Sequence, residues 1–272
     1  MPMGAVREKL KSARRIVVKV GTSTLSYGER GKFKLNLYRI EHLVRELADL
    51  HNAGKEIILV SSGAIAAGIG KMGLSEKPQT IPENQALAAI GQGVLMHIYE
   101  KFFAEYGQTM AQLLLTKENT VDEHARENSH NSLTTLLKMG VIPVINENDA
   151  VATDEIKIGD NDNLSAMVAE MIDAEVLIIL TDIDGLYDGN PKVNPNAKLI
   201  HEVGEITSDI ERIAGGAGTK LGTGGMFTKI QAAKIAVKGG ITMLIINGQE
   251  IGNLRRALNG EEIGTVFLGI RD

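Results

Sequence analysis

The chain has 272 residues, 43% of them hydrophobic, enough to bury a large core. Its 29 basic and 34 acidic residues leave a formal net charge of -5 with no block of one sign, which gives no electrostatic reason to expect nucleic acid or an anionic membrane as partner. Cysteine is absent, which rules out disulfides, thiolate nucleophiles and cysteine-based zinc sites.

Residues 1–13 read as a short amphipathic helix without the apolar core of a signal peptide, and Gly4 is not at the second position that myristoylation requires. No stretch approaches the roughly 18 consecutive apolar residues of a membrane span. A cytoplasmic protein is the expectation.

Apolar runs rich in Val, Ile and Leu follow at intervals: Ile16 to Val20, Glu56 to Ser61, Met110 to Leu115, Val141 to Ile145, Glu175 to Thr181, Ile241 to Ile246 and Thr265 to Leu268. Runs of this kind fit strands covered on both faces. Between them lie helical patterns at Leu37 to Leu50, Ala86 to Tyr106, Glu123 to Met139, Leu164 to Ile172 and Met226 to Val237. The apolar face of Ala86 to Tyr106 fits a core contact better than a subunit contact, because amphipathic helices mostly face their own domain. Val151 to Ile158 has β character without a preceding crossover helix and predicts a hairpin.

Strand and helix alternate along the whole chain, which predicts a single α/β domain: a three-layer αβα sandwich with a mostly parallel central sheet, its core over 14–268. Ligands of such sheets bind beyond the carboxyl ends of the strands. Five segments there have the chemistry to do so. In VVKVGTSTL a lysine, Lys19, interrupts an apolar strand before a Gly21, Thr22, Ser23 turn, a set of groups that suits phosphoryl oxygens; an edge lysine that merely snorkels is the plainer reading. Ser61, Ser62 and Gly63 stand where the next strand passes into a helix of small residues, either for an anion or for close packing. The span PVINENDAVATDEIKIGDNDNLSA holds six acidic residues and four asparagines, and helix capping explains only one of the polar residues around Asp160 to Asn163.

The fourth segment, VLIILTDIDGLY, emerges from a strand into a polar turn at Thr181 and Asp182. The fifth, LGTGGMFTK, runs from glycines into a helix start with Lys229 in its first turn, where backbone N–H groups and the helix dipole favour phosphate. Neither the Walker A spacing nor the protein-kinase glycine motif is present in context. The six histidines are scattered without ligand spacing and read as structural or surface residues.

In chain order, KVGTS, SSGAIAAG, INENDAVA, GDNDNLSA, LTDIDGLY and LGTGGMFTK resemble the motif series of the glutamate 5-kinases, of the amino acid kinase fold, over residues 14–268. The resemblance implies ATP-dependent phosphorylation of the γ-carboxylate of L-glutamate, the first step of proline biosynthesis. It implies that Lys19 and Lys229 contact the transferring phosphoryl group and that Asp162 holds both lysines. Ser62, Asp149 and Asn161 match glutamate-binding positions. Gly21 and Thr22 accompany Lys19 at the phosphates, and Thr181, Asp182, Thr223, Gly224, Gly225, Met226, Phe227, Thr228 and Lys229 match nucleotide-binding positions.

ATP as co-substrate and Mg2+ held mainly by its phosphates follow from the same resemblance, with no metal site built from protein side chains alone. So do proline as feedback inhibitor, a homo-oligomer and glutamyl phosphate reductase as partner. Many family members carry a carboxyl-terminal PUA domain, which this chain is expected to lack. Two other readings fit parts of the pattern: a kinase of the same fold acting on another acceptor, such as N-acetylglutamate or a nucleoside monophosphate, and a non-catalytic nucleotide or amino-acid sensor.

Overall fold

The computed structural model describes residues 3–27, 33–116, 118–151, 161–191, 193–215 and 225–269. The strands are β1 (Arg15–Val20), β2 (Glu56–Ser61), β3 (Met110–Leu115), β4 (Ile142–Glu147), β5 (Val176–Thr181), β6 (Glu202–Val203), β7 (Thr242–Asn247) and β8 (Thr265–Phe267). The longer helices are α1 (Met3–Ser12), α3 (Leu37–Asn52), α4 (Ala64–Met72), α5 (Ile81–Glu105), α7 (Glu123–Lys138), α8 (Asn161–Met171), α9 (Ser208–Gly215) and α10 (Met226–Lys238). Among the described residues short α2 (Thr22–Leu25), α6 (Glu118–Val121) and α11 (Asn253–Leu258) accompany them.

All eight strands join one sheet in the order β3-β4-β2-β1-β5-β7-β8-β6, parallel throughout except for the β7 and β8 pair. Chain progress runs outward from β1 through β2 to β4, then returns to β5 on its other side. Such a reversal opens a crevice at the carboxyl ends of the two strands beside it.

Alternation within the strands sorts side chains into two apolar layers. Ile16, Val18 and Val20 of β1 pack with α3, α5 and α11, whereas Val17 packs on the other face with α8 and α10. The same parity holds in β5, where Ile178 faces the first layer and Leu177 and Ile179 the second. Two helix layers therefore sandwich the sheet, as the alternating sequence pattern predicts.

Local chemistry sets the helix starts. The Asn36 side chain accepts from Arg39 N at 3.1 Å, and the Asp122 side chain accepts from Ala125 N at 2.8 Å. Helix α5 begins at Ile81, five residues before its apolar periodicity becomes evident at Ala86, because Thr80 and Glu83 form a reciprocal cap and proline occupies the first turn. Its buried side includes Leu95, Tyr99 and Phe103 in the core beside α3, so that face serves the chain's own interior.

Strand β3 departs from the expectation of cover on both faces. It forms one edge of the sheet, and Leu114 is 37% exposed. The hairpin expected over Val151 to Ile158 lies outside the described residues, apart from Val151 itself.

Candidate active site

Because Lys19 has the parity of Val17, its ammonium is directed at α8 and α10 rather than at α3. It stops 2.6 Å from Asp162 Oδ1, and Lys229 Nζ of α10 lies 3.1 Å from Asp162 Oδ2. All three side chains are buried: Lys19 is 6% exposed, Lys229 4% and Asp162 0%. Burial by itself would push the Asp162 carboxyl up, but the Lys19 and Lys229 ammonium groups outweigh it and hold the group at about 2. One carboxylate between two ammonium groups leaves this trio with a net charge of +1. Two ammonium groups brought this close together suit an anion.

A Cβ on Gly21 would project 3.7 Å from Lys19 Nζ and 3.8 Å from Ser23 Oγ, over the ammonium itself. Helix α10 starts at Gly225 with no side-chain cap, so its first turn presents backbone N–H groups beside Lys229. Thr228 Oγ1 lies 3.0 Å from Asp162 Oδ2 and 2.8 Å from Gly225 O, tying that turn to the carboxylate. Thr181, buried, ends β5, and exposed Asp182 follows it, with Thr181 Oγ1 3.2 Å from Asp182 Oδ1. Phe227 is 45% exposed beside the same turn. Thr223 and Gly224 lie outside the described residues.

Next to Asp162, Asn161 opens α8 and is 6% exposed. Its Nδ2 lies 2.6 Å from Ser61 O, 2.8 Å from Asn146 Oδ1 and 3.1 Å from Ser62 Oγ. Gly63 then turns the chain into α4 with φ of +100°, a left-handed value that disfavours any residue with a Cβ. Ser62 N donates to Val20 O at 3.1 Å, which joins this turn to the one after β1. Asp149 stands half-buried in the turn just beyond β4. Thus Lys19 and Lys229 meet at Asp162, Thr228 reaches the same carboxylate, Gly21 stands over the Lys19 ammonium, and Asn161, the chain neighbour of Asp162, touches Ser62.

The sequence motifs single out neither Gln92 nor Tyr99, and they give no partner to Asn146 or Ser61. Asn146 Nδ2 donates to Gln92 Oε1 at 2.7 Å, and Ser61 Oγ pairs with the Tyr99 hydroxyl at 2.9 Å. Burial pushes the Tyr99 phenol up, so it stays a neutral partner. A signal was present: Gln92 shares a helix face with Ala88, Leu95 and Tyr99, and a polar residue in a buried stripe requires a partner.

This arrangement, two buried lysines bridged by one carboxylate at the carboxyl ends of parallel strands, with an uncapped glycine turn beside it, gathers the charges and backbone donors that suit phosphoryl groups. Residues 14–247 match the family model described as the amino acid kinase family, and the chain belongs to that family. Within it the chain is similar to proteins named glutamate 5-kinase. That of Clostridium tetani is 58% identical over 265 residues, covering 97% of this chain and 98% of the relative. That of Clostridium acetobutylicum is 56% identical over 263 residues, covering 96% and 97%. A glutamate 5-kinase of Thermoanaerobacter pseudethanolicus is 58% identical over 257 residues, which are 94% of this chain and 68% of that longer protein. Among solved structures, isopentenyl phosphate kinase superposes with a TM-score of 0.66 at 18% identity, covering 93% of this chain and 100% of the other. UMP kinase from Bacillus anthracis superposes with a TM-score of 0.62 at 15% identity, covering 94% and 96%. At those identities the two structures speak for the fold alone.

Proposed function

We propose that this chain is a glutamate 5-kinase, which transfers the γ-phosphoryl group of ATP to the side-chain carboxylate of L-glutamate. The observation that supports it most is the pair of buried lysines held 2.6 Å and 3.1 Å from one carboxylate, directly beside Asn161 and Ser62. The similarity to named glutamate 5-kinases over almost the whole chain supports the choice of acceptor.

The acceptor carboxylate is already ionised at neutral pH, so no general base is required. An oxygen of that carboxylate forms a bond to the γ-phosphorus while the bond from phosphorus to the β,γ-bridging oxygen breaks, giving glutamyl 5-phosphate and ADP. The task left to the protein is to align two anions and offset their repulsion. Lys19 and Lys229 supply the positive charge. Asp162 keeps the two ammonium groups in register, and Gly21 and Thr22 line the approach. Asp149 and Asn161 receive the substrate ammonium, and Ser62 a carboxylate. Thr181, Asp182 and the Thr223 to Lys229 stretch hold the nucleotide.

Among the described residues no three His, Asp or Glu side chains gather as a metal-binding group. A Mg2+ ion accompanying ATP would be held there mainly by the phosphates and would supply further charge neutralisation. On the same reading one kinase unit spans 14–268, acts in the cytoplasm and begins proline formation. Feedback by proline, homo-oligomerisation and hand-over to glutamyl phosphate reductase belong to the same reading and are addressed by inhibition, sedimentation and coupled assays.

The test is trapping of the acyl phosphate with hydroxylamine in the presence of ATP. Glutamate should yield hydroxamate together with ADP, while N-acetylglutamate, aspartate and UMP should give little product. Turnover restricted to one of the other acceptors would redirect the assignment, and ligand binding without any ADP would favour a sensor.

A further inference from the structure

Three side-chain amides form a buried line from α5 to the phosphoryl centre. Asn146 Nδ2 donates to Gln92 Oε1 at 2.7 Å, and Asn161 Nδ2 donates to Asn146 Oδ1 at 2.8 Å. Gln92, Asn146 and Asn161 are 9%, 1% and 6% exposed. Amides can flip, yet two backbone groups fix the sense of this line. Ser61 O can only accept, and it takes Asn161 Nδ2 at 2.6 Å; Glu147 N can only donate, and it gives to Asn146 Oδ1 at 2.9 Å. With its nitrogen committed to Ser61 and Asn146, Asn161 turns Oδ1 the other way, and that oxygen has no hydrogen-bond partner among the described residues.

A buried carbonyl oxygen without a partner beside Asp162 asks for a donor. Resting on the functional reading above, that donor is the α-ammonium of the acceptor amino acid. We propose that Gln92 is a positioning residue for the acceptor: by accepting from Asn146 Nδ2 it fixes the place of Asn146 Oδ1, and that oxygen together with Ser61 O sets where the Asn161 amide presents its Oδ1 to the substrate ammonium.

The packing of α5 gives Gln92 the required rigidity. A Cβ on its neighbour Gly91 would lie 1.8 Å from Ala64 O and 2.4 Å from Gly68 N, so α5 and α4 touch backbone to backbone at this point. Helix α4 is the one that begins at Gly63, immediately after Ser62. One close crossing thus locates both the amide line and the serine turn.

The experiment compares two near-isosteric variants of the full chain. Gln92→Met keeps the shape and removes the acceptor; Gln92→Glu keeps an acceptor oxygen in either protonation state. Steady-state kinetics with glutamate and with ATP, together with melting temperature, are read for each. Gln92→Met should raise KM for glutamate about tenfold and leave KM for ATP within about twofold, the size expected for loosening one buried hydrogen bond. Gln92→Glu should recover most of the glutamate KM. Loss of acceptor affinity with rescue is not what a merely structural role produces, since destabilisation alone scales the active fraction and leaves both KM values in place. An unchanged glutamate KM in Gln92→Met, equal rises for both substrates, or no rescue by Gln92→Glu would overturn the proposal. Absence of glutamate turnover in the unsubstituted chain would instead overturn the functional reading and remove the premise; hydroxamate formation by that chain distinguishes the two failures.

Discussion

Lys19 Nζ stands 2.6 Å from Asp162 Oδ1 in the interior, a contact between a strand residue and the second residue of a helix 143 positions later in the chain. Period-two alternation directs Lys19 to the face on which α8 packs, and the sheet order places the start of α8 over the carboxyl end of β1. Lys229 reaches the other oxygen of the same carboxylate from α10. The two lysines are therefore brought together by one buried acidic group.

Asp162 should leave a signature in acid stability. Its folded value of about 2 lies below the ordinary 3.8, so its contribution is fully present above the unfolded value and is lost as pH falls through the folded one. The displacement corresponds to roughly 2 kcal/mol. Urea midpoints of the unsubstituted chain and Asp162→Asn, taken at pH 5 and near pH 2, should converge by about that amount at the acid end. Parallel curves over this range would contradict the pairing.

Three glycines on α4 and α5 separate packing from helix propensity. Gly68 and Gly91 face backbone atoms, with ideal Cβ positions 2.0 Å from Leu87 O and 1.8 Å from Ala64 O, whereas Gly93 on the exposed side of α5 has nothing within 4 Å. Gly91→Ala should destabilise the chain by about 1–3 kcal/mol or more through overpacking. Gly93→Ala should stabilise it by about 0.4–1 kcal/mol. Denaturant melts decide between this and a uniform propensity effect, under which both alanines would stabilise.

Asp149, half-buried in the turn after β4, is assigned to the ammonium of a zwitterionic acceptor. Asp149→Asn should raise KM for glutamate at least about tenfold, the scale of a lost charge-assisted hydrogen bond, with KM for ATP nearly unchanged. Equal changes in both constants, measured by coupled ADP release, would remove it from the acceptor site.

Much of the fold is visible in the pattern of residues because strands buried on both faces must be apolar along their length, as in β2 and β5. Lys19 stands out for the same reason, being a charge in a strand with no other polar residue between Ile16 and Val20. The edge position of β3 was not legible, since a strand's neighbours depend on long-range pairing that local composition does not encode. Nor was the amide line: Gln92 shows in the sequence only as a polar residue in an apolar stripe, and its 2.7 Å pairing with Asn146, 54 positions away, depends on tertiary packing. The two-residue β6 carries too little periodicity to be seen at all.

The most direct test of the shared-carboxylate centre is single-turnover hydroxamate formation from glutamate and ATP by Lys19→Met and Lys229→Met. Each variant should be slower by about a hundred- to a thousandfold, the loss of one preorganised donor worth about 2.7–4 kcal/mol. Both lysines are buried against Asp162, so each variant should also melt below the unsubstituted chain, and rates are compared well under that melting temperature. Single-turnover rates within a fewfold of the unsubstituted chain in either folded variant would contradict the account.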